Sequence, residues 1–367
     1  MIEIRFEERD GAGHIVNIAP RAERLEFRPM NLTAFRSFYL ENDALTFSLE
    51  NARASISGPE HNDDDFTGGI TFSLPRKGSG IEFAALVPGG WLPANVAQVE
   101  VFLPDSNIAC NLGAFKAALG APRASVCDSL HMGAKLLNPM LPAIEGSKGR
   151  FPTLAEVEAR ALEVHRKFER RFPGRALPLT PGQVLAAYQV VDEHIARWPR
   201  EREFLAAIWP EFARMRTREA DPERALRLVQ AERDRNGMPR LSFLYLLALN
   251  AMFGPRQRPK HWCPGEAVLK PHQPPTDANL YNVCSDVWLL ELAMKAYSLF
   301  GEGKAAICTQ DRGLIGAWAM LAPRSFQSEP GLQGLHTLRC SVSLPDDLVE
   351  RMPVDLRDAL WRDLRAD

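Results

Sequence analysis

The sequence predicts an α/β protein: a Rossmann-like parallel sheet flanked by helices and preceded by a small all-β domain. Three observations carry this. Residues 1–95 hold short β-type runs separated by turn clusters. After Pro93 the pattern changes to strands alternating with helices, which is how βαβ units read. Two of the later strand-like runs end in aspartate, Asp105 and Asp311, as expected where a sheet presents ligand-binding groups at its carboxyl edge.

In order along the chain, β-type runs at 3–6, 14–18, 45–49, 70–74 and 81–86 are divided by Asp10-Gly11-Ala12-Gly13, Asn62-Asp63-Asp64-Asp65 and Lys77-Gly78-Ser79-Gly80. This spacing suggests a small sandwich or barrel over 1–95, with Pro88-Gly89-Gly90 and Pro93 marking its exit. A second domain is expected over 96–347. It opens with a strand at 98–103 and a helix at 112–119. A helix at 153–172 starts from a Thr153/Glu156 capping box. A short strand follows at 176–179, then a helix opened by Thr180-Pro181 and running to about 198. Helices at 201–216, 221–234 and 239–253 form a helical insertion of about 201–253. Residues 255–276 read as a Pro-rich basic loop. A helix at 277–300, capped by Asp277, leads to a buried strand at 305–309, a helix at 312–320 and a strand at 337–344. Residues 348–367 are expected to be a polar helical tail.

The chain has 367 residues, 46% of them apolar, enough to bury a large core without disulfides or a structural metal. A net charge of -2 supplies no global attraction to nucleic acid, so phosphate contacts must come from local patches. Arg256, Arg258, Lys260 and His261, with Trp262 beside them, are one candidate for gripping a phosphate backbone and stacking a base. Arg166, Lys167, Arg170, Arg171 and Arg175 are another, and solvated surface charge is the plainer reading of both. The six cysteines form no C-x-x-C pair and are expected to be reduced thiols. No apolar leader is apparent, and the longest apolar stretch, 241–254, is short for a membrane span. A cytoplasmic protein without a membrane partner is expected.

The chemistry is expected at the strand ends. Asp105 and Asp311 would face one edge of a parallel sheet, and Asn279, Asn282 and Asp286 share a face of the helix entering the second of these strands. An uncompensated carboxylate on a buried helix costs several kcal/mol, and a bound cation removes that cost. Oxygen donors without a cysteine or histidine pair favour Mg²⁺ or Mn²⁺. Taken singly, each aspartate also reads as a helix cap or turn residue. No P-loop or G-x-S-x-G elbow is present, which leaves NTPase and serine-hydrolase readings without support.

Leu103-Pro104-Asp105-Ser106-Asn107, Asn282 and Asp286 before Leu289-Leu290, and Thr309-Gln310-Asp311-Arg312-Gly313-Leu314 together resemble the ordered motifs of PIN-domain nucleases. The resemblance covers roughly 98–345. It implies an acidic cluster holding one or two Mg²⁺ or Mn²⁺ ions that direct water at a phosphodiester, usually in RNA. Asp105, Asp286 and Asp311 would be catalytic metal ligands, with Asn107, Asn282 and Thr309 in support. The family's helix glutamate would fall near Ala186 or Ala187, so Asp192 or Glu193 would have to substitute, or Gln183 would contact the site through water. The expected activity is metal-dependent endoribonuclease, suiting a toxin, a defence effector or an RNA-processing enzyme. The N-terminal domain would recognise a protein partner, a trigger or the substrate. The alternative is a catalytically degenerate PIN-like module that binds or scaffolds. A Rossmann-type enzyme acting on phosphorylated small molecules is a weaker third reading, because no Gly-rich loop follows the first strand.

Overall fold

The computed structural model describes residues 2–3, 6–9, 15–22, 27–41, 43–58, 61–74, 83–94, 97, 99–112, 136–145, 149–217, 221–255, 262–301, 304–330 and 336–365. The expected helix at 112–119 and the basic residues Arg256, Arg258, Lys260 and His261 lie essentially outside these.

The first part of the chain forms an antiparallel sheet from β1 (Ile2–Glu3), β2 (Phe6–Arg9), β3 (Ile15–Ala22), β4 (Leu45–Gly58) and β5 (His61–Leu74). The strands are longer than the sequence suggests: β4 and β5 have 14 residues each, and the expected acidic turn at 62–65 lies inside β5. Between β3 and β4, α1 (Leu32–Arg36) continues into a π turn at Ser37–Glu41.

The central sheet contains β6 (Ala84–Val87), β7 (Gly90–Pro93), β8 (Val101–Pro104), β9 (Leu136–Leu137) and β10 (Ala305–Thr309), in the order β7-β6-β10-β8-β9. β10 is parallel to β8, and β8 to β9, whereas β6 and β7 run antiparallel. The sheet is therefore mixed rather than wholly parallel. The expected exit at 88–93 is the turn and second strand of a hairpin belonging to it. Residue 95 is not a boundary for a second reason: Met30 exchanges backbone hydrogen bonds with Trp91, and Phe35 and Phe38 are buried against the Trp91 ring. Apolar side chains beside the hairpin bury themselves with it, so 27–47 joins the same core.

Helices flank this sheet: α2 (Ser106–Cys110), α3 (Met140–Ile144), α4 (Leu154–Arg171), α5 (Pro181–Thr217), α6 (Pro222–Arg235), α7 (Phe243–Phe253), α8 (Pro264–Leu269), α9 (Asp277–Phe300), α10 (Arg312–Leu321) and α11 (Val354–Leu364). The Thr153/Glu156 capping box is present in full. α5 is one helix of 37 residues that runs through Pro199, where a break between two helices was expected, and through Pro210. Its buried Val191, Phe204, Leu205, Ile208 and Phe212 hold both halves in place, outweighing a proline cost of about 3 kcal/mol each. Every residue of α7 is buried, so the expected insertion contains the central helix of the core. Thr276, not Asp277, caps α9.

The strand expected at 337–344 is β12 (His336–Ser341), in a hairpin with the unexpected β11 (Arg324–Pro330). The tail is docked rather than separate. Leu360 and Leu364 are buried, and the buried guanidinium of Arg233 bonds Asp363 at 2.6 Å. Among the described residues no helix is long and apolar enough to cross a membrane.

Candidate metal centre at the carboxyl edge of the sheet

The parallel register of β8 and β10 sets Cys308 beside Pro104, so the residues that follow lie together at one edge. Asp105 is buried there and caps α2, accepting from the Ile108 N–H at 2.8 Å. Its backbone N–H donates to the Cys308 carbonyl at 2.9 Å. The buried Thr309 hydroxyl donates to the other Asp105 oxygen at 2.6 Å and accepts from the Asp311 N–H at 2.9 Å. Asp311 in turn caps α10, its Oδ1 accepting from Gly313 at 2.7 Å and Leu314 at 3.1 Å. A side-chain hydrogen bond from Asn107 slightly lowers the pKa of Asp105.

Asp286 approaches the same edge from α9. It pairs with the Lys270 ammonium at 2.9 Å, and Lys270 stands just past α8 in the left-handed conformation, φ 51° and ψ 49°. Asn282 is exposed on α9, and Asn279 is used locally, donating to the Pro274 carbonyl at 2.9 Å.

The fourth carboxylate is Glu145, which sequence reasoning missed. It ends α3, directly after β9, and both its oxygens accept from the Ser106 N–H, at 3.1 and 3.0 Å. The expected substitutes are engaged elsewhere. Asp192 is exposed, Glu193 is ion-paired with Lys295, and Gln183 closes a capping box on the Thr180 N–H. The helix bearing Ala186 and Ala187 therefore contributes no acid to the cluster.

The four carboxylates come from different elements and act on one another. Burial pushes the Glu145 carboxyl up to about 8, and the charges of Asp105 and Asp286 add to that rise. Burial pushes Asp105 up to about 6, with Asp311 adding and the Thr309 and Ile108 bonds opposing. Asp286 is also raised to about 6 by burial, with Lys270 opposing and Asp311 and Asp105 adding. Burial is the main cause of all three rises and the neighbouring carboxylates add to it, so the cluster is short of compensating positive charge.

The donor set suits a hard cation: all its side-chain donors are oxygen, and an ammonium already sits on Asp286 as a stand-in. Among the described residues no three His, Cys, Asp or Glu side chains stand together around one ion position. Mg²⁺ usually keeps several waters and takes one or two carboxylates directly, so the cluster fits a hydrated ion better than a closed cage.

Two of the candidate nucleic-acid contacts fall among the described residues. Trp262 is half-buried, tilted against Phe35 at 4.7 Å and packed on Gly316, so its ring is not free to stack a base. The α4 cations precede Ala176, which bridges Leu137 in parallel and so starts from the amino edge of the sheet, away from the acids. Cys263, Cys284 and Cys308 are buried free thiols, whereas Cys110 is exposed.

Comparison of the chain with protein-family models, curated proteins and solved structures finds no match.

Proposed function

We propose that the protein is a Mg²⁺- or Mn²⁺-dependent phosphodiesterase of nucleic acid, with endoribonuclease activity favoured, resembling PIN-domain nucleases. One observation supports the reading: Thr309 links Asp105 and Asp311 at the carboxyl edge of the parallel strands, and Glu145 and Asp286 lie near enough for their charges to act on this edge. In this reading Glu145 would supply the acid that the resemblance leaves without a counterpart near Ala186 or Ala187.

Asp105 and Asp286 would hold the ion. When bound, it supplies an activated water and stabilises charge on the phosphate. Thr309 fixes the Asp105 carboxylate in one orientation, so the site needs little rearrangement before reaction. Asp311 stays aligned by its two backbone donors. Glu145, held by the Ser106 N–H, would stand at the edge of the cluster as the group that passes a proton. A role as a toxin or defence effector belongs to this reading, as does recognition of a protein partner by the N-terminal sheet.

The alternative, a binding or scaffold module, is favoured by one observation: each carboxylate is already engaged by protein donors. Incubating labelled RNA and single-stranded DNA with the protein, in Mn²⁺ or EDTA, separates the two. Cleavage of RNA that needs Mn²⁺ and is lost in Asp105→Asn and Asp311→Asn supports the nuclease. Cleavage that survives both substitutions overturns it, and no cleavage with no ion bound leaves the scaffold reading.

A further inference from the structure

His194, Arg197 and Glu201 follow one another on α5 at spacings of three and four residues. Cys284, Trp288, Glu291 and Lys295 do the same on α9, so each set lies on one side of its helix. The two sides meet. Arg197 pairs with Glu291 at 2.5 Å and stands 3.5 Å from Glu201, and the Cys284 thiol donates to Glu201. The His194 ring is buried, stacked on Trp288 at 4.7 Å and edge-on to Phe151 at 5.1 Å. Neither of its nitrogens has a hydrogen-bond partner, and Nδ1 lies 3.9 Å from a Glu201 oxygen. A buried imidazole with two orphaned nitrogens beside a buried carboxyl poses a specific question: which of the two carries the proton.

The surroundings answer it. An ion pair enclosed by aromatic rings has to recover the desolvation of both charges, whereas a neutral acid beside a neutral base does not. The Arg197 guanidinium repels an imidazolium at His194, and Glu291 repels a second carboxylate at Glu201. Arg197 is already matched by Glu291, which leaves Glu201 the exposed Arg200 as a further cation. The other charges facing the seam are spoken for. Lys295 of α9 is paired with Glu193 of α5, and Arg150 with Glu156 of α4. Arg160 of α4 acts on Tyr281, and the buried Arg233 of α6 is bound to Asp363. The remaining helices packed on α5, α3 and α7, contain no charged residue.

We propose that Glu201, not His194, holds the proton of this pair, and that the neutral carboxyl and neutral imidazole form a proton-dependent latch fastening α9, the helix of Asp286, to α5. The latch does not depend on the metal reading above. Burial raises Glu201 from 4.5 to about 7, and burial together with Arg197 lowers His194 from 6.5 to about 3. Stability from Glu201 is therefore complete below about pH 4.5 and lost as pH rises through 7. Stability from His194 is complete above about pH 6.5 and lost as pH falls towards 3. Between pH 4.5 and 6.5 the two dependences cancel: folding takes up no net proton at this pair and only moves one from the ring to the carboxyl.

Urea unfolding of the whole protein between pH 4.5 and 6.5 tests this, using wild type, Glu201→Gln, His194→Phe and the double variant. Glutamine copies the protonated carboxyl, and phenylalanine keeps a ring on Trp288. Relative to wild type, the folding equilibrium constant of Glu201→Gln should rise about five- to tenfold for each unit that pH is raised. That of His194→Phe should rise by a similar factor for each unit that pH is lowered, and the double variant should run parallel to wild type. A proton residing on His194 as an ion pair gives a different result, because folding then moves no proton at all. Either single-variant ratio failing to change with pH in this window therefore overturns the assignment, as does a change of opposite sign. Should a variant fail to fold, nitrogen NMR of the wild-type imidazole stacked on Trp288 decides. A ring still neutral at about pH 5, below the ordinary histidine value, supports the latch, and a protonated ring overturns it.

Discussion

The Thr309 hydroxyl bonds the Asp105 carboxylate at 2.6 Å across 204 positions of sequence, joining the ends of two neighbouring parallel strands. The same oxygen accepts from the Asp311 N–H, so one buried hydroxyl aligns two acids. Thr309→Val keeps the shape and removes both bonds. A buried carboxylate losing a charge-assisted partner should cost about 1.5–3 kcal/mol in urea unfolding. Thr309→Ser should recover most of that. A valine variant as stable as wild type would show that the hydroxyl does not secure the edge.

Glu145 gives the cluster a pH dependence of definite sign. Its folded value of about 8 lies above the ordinary 4.5, so the folded state binds the extra proton between those limits. Stability from this group is complete below about pH 4.5 and is lost as pH rises towards 8. In EDTA, Glu145→Gln should therefore match wild type near pH 5. At pH 8 it should exceed wild type by on the order of 1–2 kcal/mol, after discounting for a half-buried group. Melting curves across that range check it, and parallel pH profiles for the two proteins would refute it.

Asp311 has two roles that substitution separates. Asp311→Asn retains an oxygen acceptor for the Gly313 and Leu314 N–H groups, so its melting temperature should stay close to wild type while Mn²⁺-dependent cleavage is lost. Asp311→Ala removes the cap as well and should cost a further ~1 kcal/mol. Equal stability of the two variants would mean that the cap contributes nothing.

Gly316 on α10 faces the Trp262 ring, and a Cβ there would lie 1.9 Å from it. The ring is backed by Phe35, so it has little room to withdraw. Gly316→Ala should destabilise by about 1–3 kcal/mol through overpacking, despite the better helix propensity of alanine. Tryptophan fluorescence should shift to the red as Trp262 is dislodged. A variant more stable than wild type, with an unchanged spectrum, would contradict this packing.

Asp105, Thr309 and Asp311 were legible because each lies within a few residues of a recognisable strand, where local pattern fixes position. Asp286 was legible because it shares one face of a largely apolar helix with Asn279 and Asn282. Glu145 was not, since a two-residue strand and a five-residue helix are too short for periodicity to register. The lone acid closing the apolar run Met140-Leu141-Pro142-Ala143-Ile144 was the available signal. The hairpin of β6 and β7 looked like the end of an N-terminal domain because strand pattern does not reveal which sheet a strand joins. The unbroken α5 was hidden for the opposite reason: its prolines announce a break locally, and distant packing overrides them.

The position of β10, between β6 and β8, has a consequence for how the molecule comes into being. Chains emerge from the ribosome amino end first. Residues 84–104 are therefore exposed to the cell long before the strand that separates and joins them has been made. Until residue 309 is available the middle of the sheet is missing, and Asp105 has neither the Thr309 hydroxyl nor Asp311 beside it. In a chain made only part of the way the acidic edge is accordingly incomplete, and it forms only once synthesis has passed residue 311.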